Sequence, residues 1–301
     1  MSKPSAALPA DLRGGETPRL RDAVAMAAAE LSRAGVDTPR LDAELLLGSV
    51  LGVGRERLVL DAADGLAAEP RQRFRSLITR RVAREPVAYI LGEKGFRRIT
   101  VRVDRRALIP RPETELLVEV GLSLPAGTRV IDVGTGSGAV ALALKEERPD
   151  LEVWATEVSQ DALALARENA DRLGLDVHFR PGDLLGGAAW GLGLNNSTRG
   201  PNLGAPAILA NLPYVPDRTP LAPEITGYEP ASALFSGPDG LDLIGRLIDE
   251  LAGLPEVSLV ALEHGYDQGD AITGLLAQAG FASAARLRDL AGHERVAVGR
   301  R

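Results

Sequence analysis

From Thr128 onward, apolar runs of strand length alternate with stretches of helical period, and this alternation limits the possible folds more than any other feature of the chain. "RVIDVG" reads as a strand, "AVALALKEE" as a helix, "EVWATEV" as a strand and "DALALARENADRLG" as a helix. The series continues through "VHFRPGD", "AILANLPY", "GLDLIGRLIDELAG", "VSLVALEH" and "DAITGLLAQAG". Strands separated by helices pair in parallel, because the crossover needs the length of a helix, and helices then cover both faces of the sheet. The end departs from the rule. "ARLRDLAGHERVAVG" holds two short strands around Gly292 with no helix between them, so the last strand is expected to run antiparallel. Residues 186–205, "GGAAWGLGLNNSTRGPNLGA", read as a long inserted loop.

The first part of the chain has a different pattern. "LRDAVAMAAAELSRAG", "DTPRLDAELLLGSVLG" and "EPRQRFRSLITRRVARE" carry apolar residues at helical spacing, with Gly35 and Gly52 placed as stops. "VAYILGEKGFRRITVRVDRRALI" then alternates apolar and polar residues around Gly92 and Gly95, as a β-hairpin does. The expected organisation is a mobile tail over 1–19, a helical domain over 20–86, a hairpin linker over 87–110 and an α/β domain over 111–301.

Composition excludes several chemistries. There are no cysteines among the 301 residues, so disulfides, thiolate metal sites and a Cys nucleophile are ruled out. Three scattered histidines, His178, His264 and His293, make a metal centre an unpromising reading, and no metal is expected. No apolar run has membrane-spanning length, and "MSKPSAALPADLRGGETPR" lacks the apolar core of a signal peptide. A cytoplasmic, monomeric enzyme is the expectation. The net charge is −6, yet Arg71 to Arg106 holds twelve basic residues against three acids. Such a stretch can attract an acidic partner or nucleic acid, and here it is expected to help dock a protein substrate.

"VIDVGTGSGAV" occupies the first strand-to-helix turn of the α/β region. Gly134, Gly136 and Gly138 allow a sharp turn and a close approach of Thr135, Ser137 and the loop backbone to a ligand. The spacing also satisfies the dinucleotide pattern, which leaves a nucleotide oxidoreductase open. Three acids at strand ends favour a different nucleoside. Asp132 suits a cationic amino group, Glu157 can accept from two ribose hydroxyls, and Asp183, followed by Leu184, can accept from an adenine amino group. That set fits S-adenosylmethionine, with S-adenosylhomocysteine as product, better than a pyrophosphate.

The strand "AILAN" stops at Asn211, followed by Leu212, Pro213 and Tyr214. An amide, a rigid ring and a phenol can clamp a flat amide or an adenine amino group beside the cofactor. Protein amide methylation and nucleic-acid adenine methylation are therefore both open at this point, as is a non-catalytic cofactor-binding module.

The motifs taken together resemble the PrmC/HemK protein-glutamine methyltransferases. "LDAELLL" and "REPVAYILGEKGF" resemble that family's helical domain and hairpin, "LIPRPETELLV" its linker, "DVGTGSGAVALAL" its cofactor loop and "YEPASALFSGPDGL" the segment after the fourth strand. The family's Asn-Pro-Pro-Tyr is Asn211-Leu212-Pro213-Tyr214 here, with the first proline replaced. The resemblance implies a Rossmann-like S-adenosylmethionine-dependent methyltransferase sheet with a small all-helical domain joined by a β-hairpin. It implies methyl transfer to the Gln of a Gly-Gly-Gln loop in peptide-chain release factors, without a stable nucleic-acid complex; a glutamine in another translation protein is the alternative. It also implies roles for residues. Asn211 Oδ1 and the Leu212 carbonyl accept the two N–H bonds of the target amide, Pro213 fixes the turn, and Tyr214 packs on the amide plane. Asn211 touches the cofactor as well, and the Leu212 side chain is expected to be dispensable.

Overall fold

The computed structural model describes residues 17–186 and 205–301. It divides into two compact units between Leu91 and Gly92. Most of the expected tail and inserted loop fall outside the described residues. The tail's last residues are held, since Arg19 bridges to Gly65 and Leu66 N donates to Pro18 O at 2.7 Å.

The first unit is helical: α1 (Leu20–Arg33), α2 (Pro39–Leu51), α3 (Arg55–Leu60), α4 (Ala68–Val82) and α5 (Val87–Leu91). In α1 the buried residues Leu20, Val24, Ala27 and Leu31 recur at helical spacing and form one face. They join Leu46, Leu47, Phe74 and Ile78 in a single core cluster. A buried ion pair, Arg81 Nε to Asp42 Oδ2 at 2.7 Å, satisfies two charges there.

The expected hairpin linker over 87–110 is shorter than its pattern implied. Val87–Leu91 form α5, and only β1 (Glu93–Phe96) and β2 (Ile99–Arg102) pair as a hairpin. A five-residue apolar run such as "VAYIL" suits either period, and here the helical one prevails. Residues 103–111 continue without regular structure to a 3₁₀ turn at Pro112–Thr114 and then α6 (Glu115–Leu122).

The α/β pattern is realised as β3 (Arg129–Val133), α7 (Ala139–Glu147), β4 (Glu152–Glu157), α8 (Gln160–Leu173), β5 (His178–Pro181), β6 (Ala207–Ala210), α9 (Pro223–Thr226), α10 (Asp242–Ala252), β7 (Leu259–Glu263), α11 (Gly269–Gln278), β8 (Ser283–Arg288) and β9 (Glu294–Arg300). The sheet has seven strands in the order β5-β4-β3-β6-β7-β9-β8. The strands β3, β4, β5, β6 and β7 pair in parallel, while β9 runs antiparallel to β7 and to β8, as the unbroken strand pair at the end required. Every residue of β3, β6 and β7 is buried, the mark of central strands covered on both faces.

Chain direction across the sheet reverses between β3 and β6. Such a reversal leaves a crevice beyond the carboxyl ends of the two strands, where open α/β sheets bind ligands. Val133 stands opposite Ala210, so Gly134 and Asn211 leave the sheet at the same level.

Among the described residues no helix is long and apolar enough to cross a membrane. The basic stretch is partly neutralised within the chain. Arg73, Arg80, Arg81, Arg97, Arg98 and Arg106 all take part in ion pairs, which reduces the charge left to attract a partner.

Candidate active site

One cavity opens at this switch point. Asp132, Gly136, Glu157, Asp183, Asn211 and Pro213 all line it. Thr135, Ser137, Gly134, Leu184 and Leu212 do so too, so the strand-end residues singled out by sequence converge. Gly138 and Tyr214 are the exceptions.

The glycine loop has the backbone its composition called for. Gly134, Gly136 and Gly138 have φ of 73°, 57° and 84°, a region where a Cβ is strained. The three positions differ in what surrounds them. A Cβ on Gly136 would meet only Ala107, at 3.9 Å, so this backbone lies open to a ligand. A Cβ on Gly138 would press on Leu142 at 2.9 Å and Ala166 at 3.3 Å, so that glycine serves the packing of α7 on α8. A Cβ on Gly134 would meet Leu212 Cδ2 at 2.9 Å. Leu212 is 5% exposed and belongs to the core beneath the loop, so its side chain has a packing role in addition to whatever its carbonyl does.

Glu157 ends β4 with its carboxylate spanning two elements. Oε2 accepts from Gly136 N and Oε1 from Ser159 N, both at 2.9 Å. Each oxygen keeps a lone pair for a ribose hydroxyl. Asp132 lines the cavity and also braces the loop. Its Oδ2 accepts from the Thr135 hydroxyl at 2.6 Å and Ala141 N at 3.2 Å, bracing the glycine loop against α7. Burial pushes its pKa up to about 6, against the pull of those two hydrogen bonds. Asp183 is half-exposed and paired with Arg246 at 2.7 Å, so one of its oxygens is already engaged.

The amide motif is held by residues that sequence reasoning missed. Asn211 Nδ2 donates to Thr114 Oγ1 at 3.0 Å. Thr114 comes from the "PRPET" linker and is buried. The Tyr214 hydroxyl donates to Glu263 Oε1 at 3.2 Å, at the end of β7. Burial raises the Glu263 pKa to about 7, with the nearby Thr114 hydroxyl and the hydrogen bond from Tyr214 opposing the shift. Burial and the neighbouring Glu263 charge together push the Tyr214 phenol up, so it stays a donor. Gln268 Nε2 donates to Tyr214 O at 3.0 Å. The linker is laced to the far wall by Glu229, whose Oε2 accepts from Ile109 N at 3.0 Å and whose Oε1 pairs with Arg111. The one signal for Glu263 in the sequence is an acid closing an otherwise apolar strand, "LVALE".

A switch-point cavity with a glycine loop, a ribose-height carboxylate and an amide clamp defines a Rossmann-like methyltransferase. Residues 22–92 match the family described as the PrmC N-terminal domain, and residues 112–190 match the methyltransferase small domain. The chain is 39% identical over 289 residues to the release factor glutamine methyltransferase of Deinococcus radiodurans, covering 94% of this chain and 99% of that protein. It is 38% identical to the release factor glutamine methyltransferase of Caulobacter vibrioides, covering 89% of this chain and 92% of the other. The chain belongs to the release factor glutamine methyltransferase family. Its fold is shared with the hMettl16 catalytic domain, at a TM-score of 0.51 and 14% identity over 66% of this chain and 74% of that one.

The residues present fit S-adenosylmethionine. The open backbone at Gly136 can lie against the ligand, and Glu157 retains acceptors for its ribose. Asn211 stands across the same cavity.

Proposed function

We propose that this chain transfers a methyl group from S-adenosylmethionine to the side-chain amide nitrogen of a glutamine in a peptide-chain release factor, the Gln of its Gly-Gly-Gln loop. Bound S-adenosylmethionine supplies an electrophilic sulfonium methyl. The protein's task is to orient a poor nucleophile, because the amide lone pair is delocalised into its own carbonyl. Asn211 Oδ1 and the Leu212 carbonyl accept the two N–H bonds of the target, which turns the nitrogen lone pair toward the methyl. Pro213 restricts the backbone of Leu212 to extended conformations and so directs its carbonyl. Tyr214, which stands outside the cavity lining, supports the clamp through the hydrogen bond from its hydroxyl to Glu263. Orientation of this kind can contribute about 7–11 kcal/mol in favourable systems. On this reading the chain works in the cytoplasm as a monomer that meets its substrate transiently, and Asp183 and Leu184 border the adenine.

The observation that carries the proposal is the Asn211 hydrogen bond. Its Nδ2 is committed to Thr114, itself part of the cavity lining, which leaves Oδ1 as the acceptor for the substrate. The test incubates purified protein with labelled S-adenosylmethionine and, separately, release factor, ribosomal proteins and adenine-containing nucleic acid. Mass spectrometry is expected to find methylglutamine in the release-factor Gly-Gly-Gln loop. Label confined to ribosomal protein or to adenine would overturn the assignment.

A further inference from the structure

We propose that Asn169 is a positioning residue for the cofactor, holding the glycine loop in its binding arrangement and tying it to the end of the β1–β2 hairpin. The inference rests on the reading that places S-adenosylmethionine against that loop. Asn169 lies in α8, is 0% exposed and is not among the residues lining the cavity, so it can act only through others. It makes three hydrogen bonds. Its Oδ1 accepts from Arg102 N at 2.7 Å, and its Nδ2 donates to Arg102 O at 3.0 Å and to Ser137 O at 2.9 Å. The side chain fits in one orientation only. Turned over, it would set its NH₂ against an N–H and its oxygen against two carbonyls.

The Ser137 carbonyl needs such a partner because of the turn it sits in. In a continuous helix it would accept from the N–H four residues on, that of Ala141. Gly138, at φ of 84°, breaks that geometry, and Ala141 N donates to Asp132 Oδ2 instead. The carbonyl is left on a residue that is 3% exposed and lines the cavity. A buried carbonyl without a partner is costly, and a turn of the peptide toward the cavity would relieve the cost. Asn169 removes that drive by holding the carbonyl against α8.

The loop is thus gripped at both ends of one dipeptide. Glu157 takes Gly136 N, and Asn169 takes Ser137 O. The second grip reaches further. β2 ends at Arg102, and the chain runs on from there to Ala107, which lines the cavity and packs on Ala162 and Leu165 of α8. Ala107 is also the residue nearest the open face of Gly136. One buried amide therefore fixes the glycine loop and the linker beside it relative to each other, and a ligand meets both.

The test compares Asn169→Asp and Asn169→Ala, with Glu157→Gln as a control on the loop itself. Calorimetry gives the S-adenosylmethionine Kd, urea unfolding gives stability, and single-turnover methylation of release factor gives kcat at saturating cofactor. Aspartate offers at most one donor, and only when protonated, where asparagine offers two; alanine offers none. A loop that keeps its binding arrangement for about a tenth of the time binds about tenfold more weakly. Kd is therefore expected to rise about tenfold in both Asn169 variants, with kcat at saturating cofactor within about threefold of wild type, because bound ligand restores the arrangement. A purely structural role would lower stability and leave Kd at the wild-type value. That result, beside a weakened Glu157→Gln, overturns the inference. Wild-type Kd in Glu157→Gln would instead remove the loop as the cofactor site. Should neither Asn169 variant fold, hydrogen exchange in the wild-type protein decides. Saturating S-adenosylhomocysteine should slow exchange of Arg102 N–H, which Asn169 holds, more than that of Val103 N–H, which donates to Gly92 O in the same hairpin. Equal slowing refutes the inference.

Discussion

The contact between Leu212 and Gly134 allows a quantitative test of how the amide motif and the cofactor loop are built on one another. Leu212 is 5% exposed, and truncation to alanine removes three buried carbons. At about 0.8 kcal/mol per buried methylene the transfer part is ~2.4 kcal/mol. The residual space adjoins the open cavity, so the total should sit near the low end of the usual Leu→Ala range, about 2.5–3 kcal/mol. Gly134→Ala has two separable costs. One is a non-glycine residue at φ of 73°, about 1–2 kcal/mol. The other is displacement of Leu212 Cδ2, which lies 2.9 Å from the new Cβ, about 1 kcal/mol. In a Leu212→Ala background the second cost vanishes, so the double variant should be about 1 kcal/mol more stable than the sum of the singles. Both tryptophans, Trp154 and Trp190, fall within residues 92–301. Urea unfolding followed by their fluorescence thus reports on the α/β unit alone. Additivity within about 0.3 kcal/mol would show that the leucine is not seated beneath the loop.

Glu157→Gln keeps the shape but removes the charge that holds Gly136 N and Ser159 N; S-adenosylmethionine binding should weaken by about 1–3 kcal/mol in calorimetry, and unchanged affinity would reject the ribose assignment. Asn211→Ala deletes the acceptor aimed at the target amide and should lower kcat about 10²–10³-fold in single-turnover assays. Stability should also depend on pH through Glu263, whose folded pKa of about 7 lies above its ordinary 4.5. Between those values the folded state holds the proton more tightly than the unfolded state. Rising pH therefore destabilises the fold through this window, by on the order of 3 kcal/mol once above it. Asp132, raised to about 6, acts in the same direction. Glu263→Gln should flatten the slope of urea stability against pH, and an unchanged slope would assign the effect elsewhere.

What the sequence revealed about the site follows from how far its parts are separated along the chain. The glycine loop, Glu157 and Asn211 each end a strand, and a strand followed by a turn is a local pattern. Their convergence then follows from the parallel order of the sheet. The linker could be seen as a motif but its purpose could not. Thr114 reaches Asn211 across 97 positions and Ile109 reaches Glu229 across 120, distances over which periodicity carries no information. Asp132 was placed correctly at a strand end, yet its oxygen turns back toward Thr135 and Ala141, a choice made by packing. The same holds for Leu212, whose neighbours in sequence say nothing of the glycine above it.

The engagement of Glu157 with both Gly136 N and Ser159 N bears on how the glycine loop is held. Three positive-φ glycines would leave a free loop with many conformations, and a ligand would have to select one of them. Here one carboxylate ties the loop's midpoint to the start of α8. A loop tied in this way has fewer conformations for the methyl donor to select among than three positive-φ glycines alone would leave it.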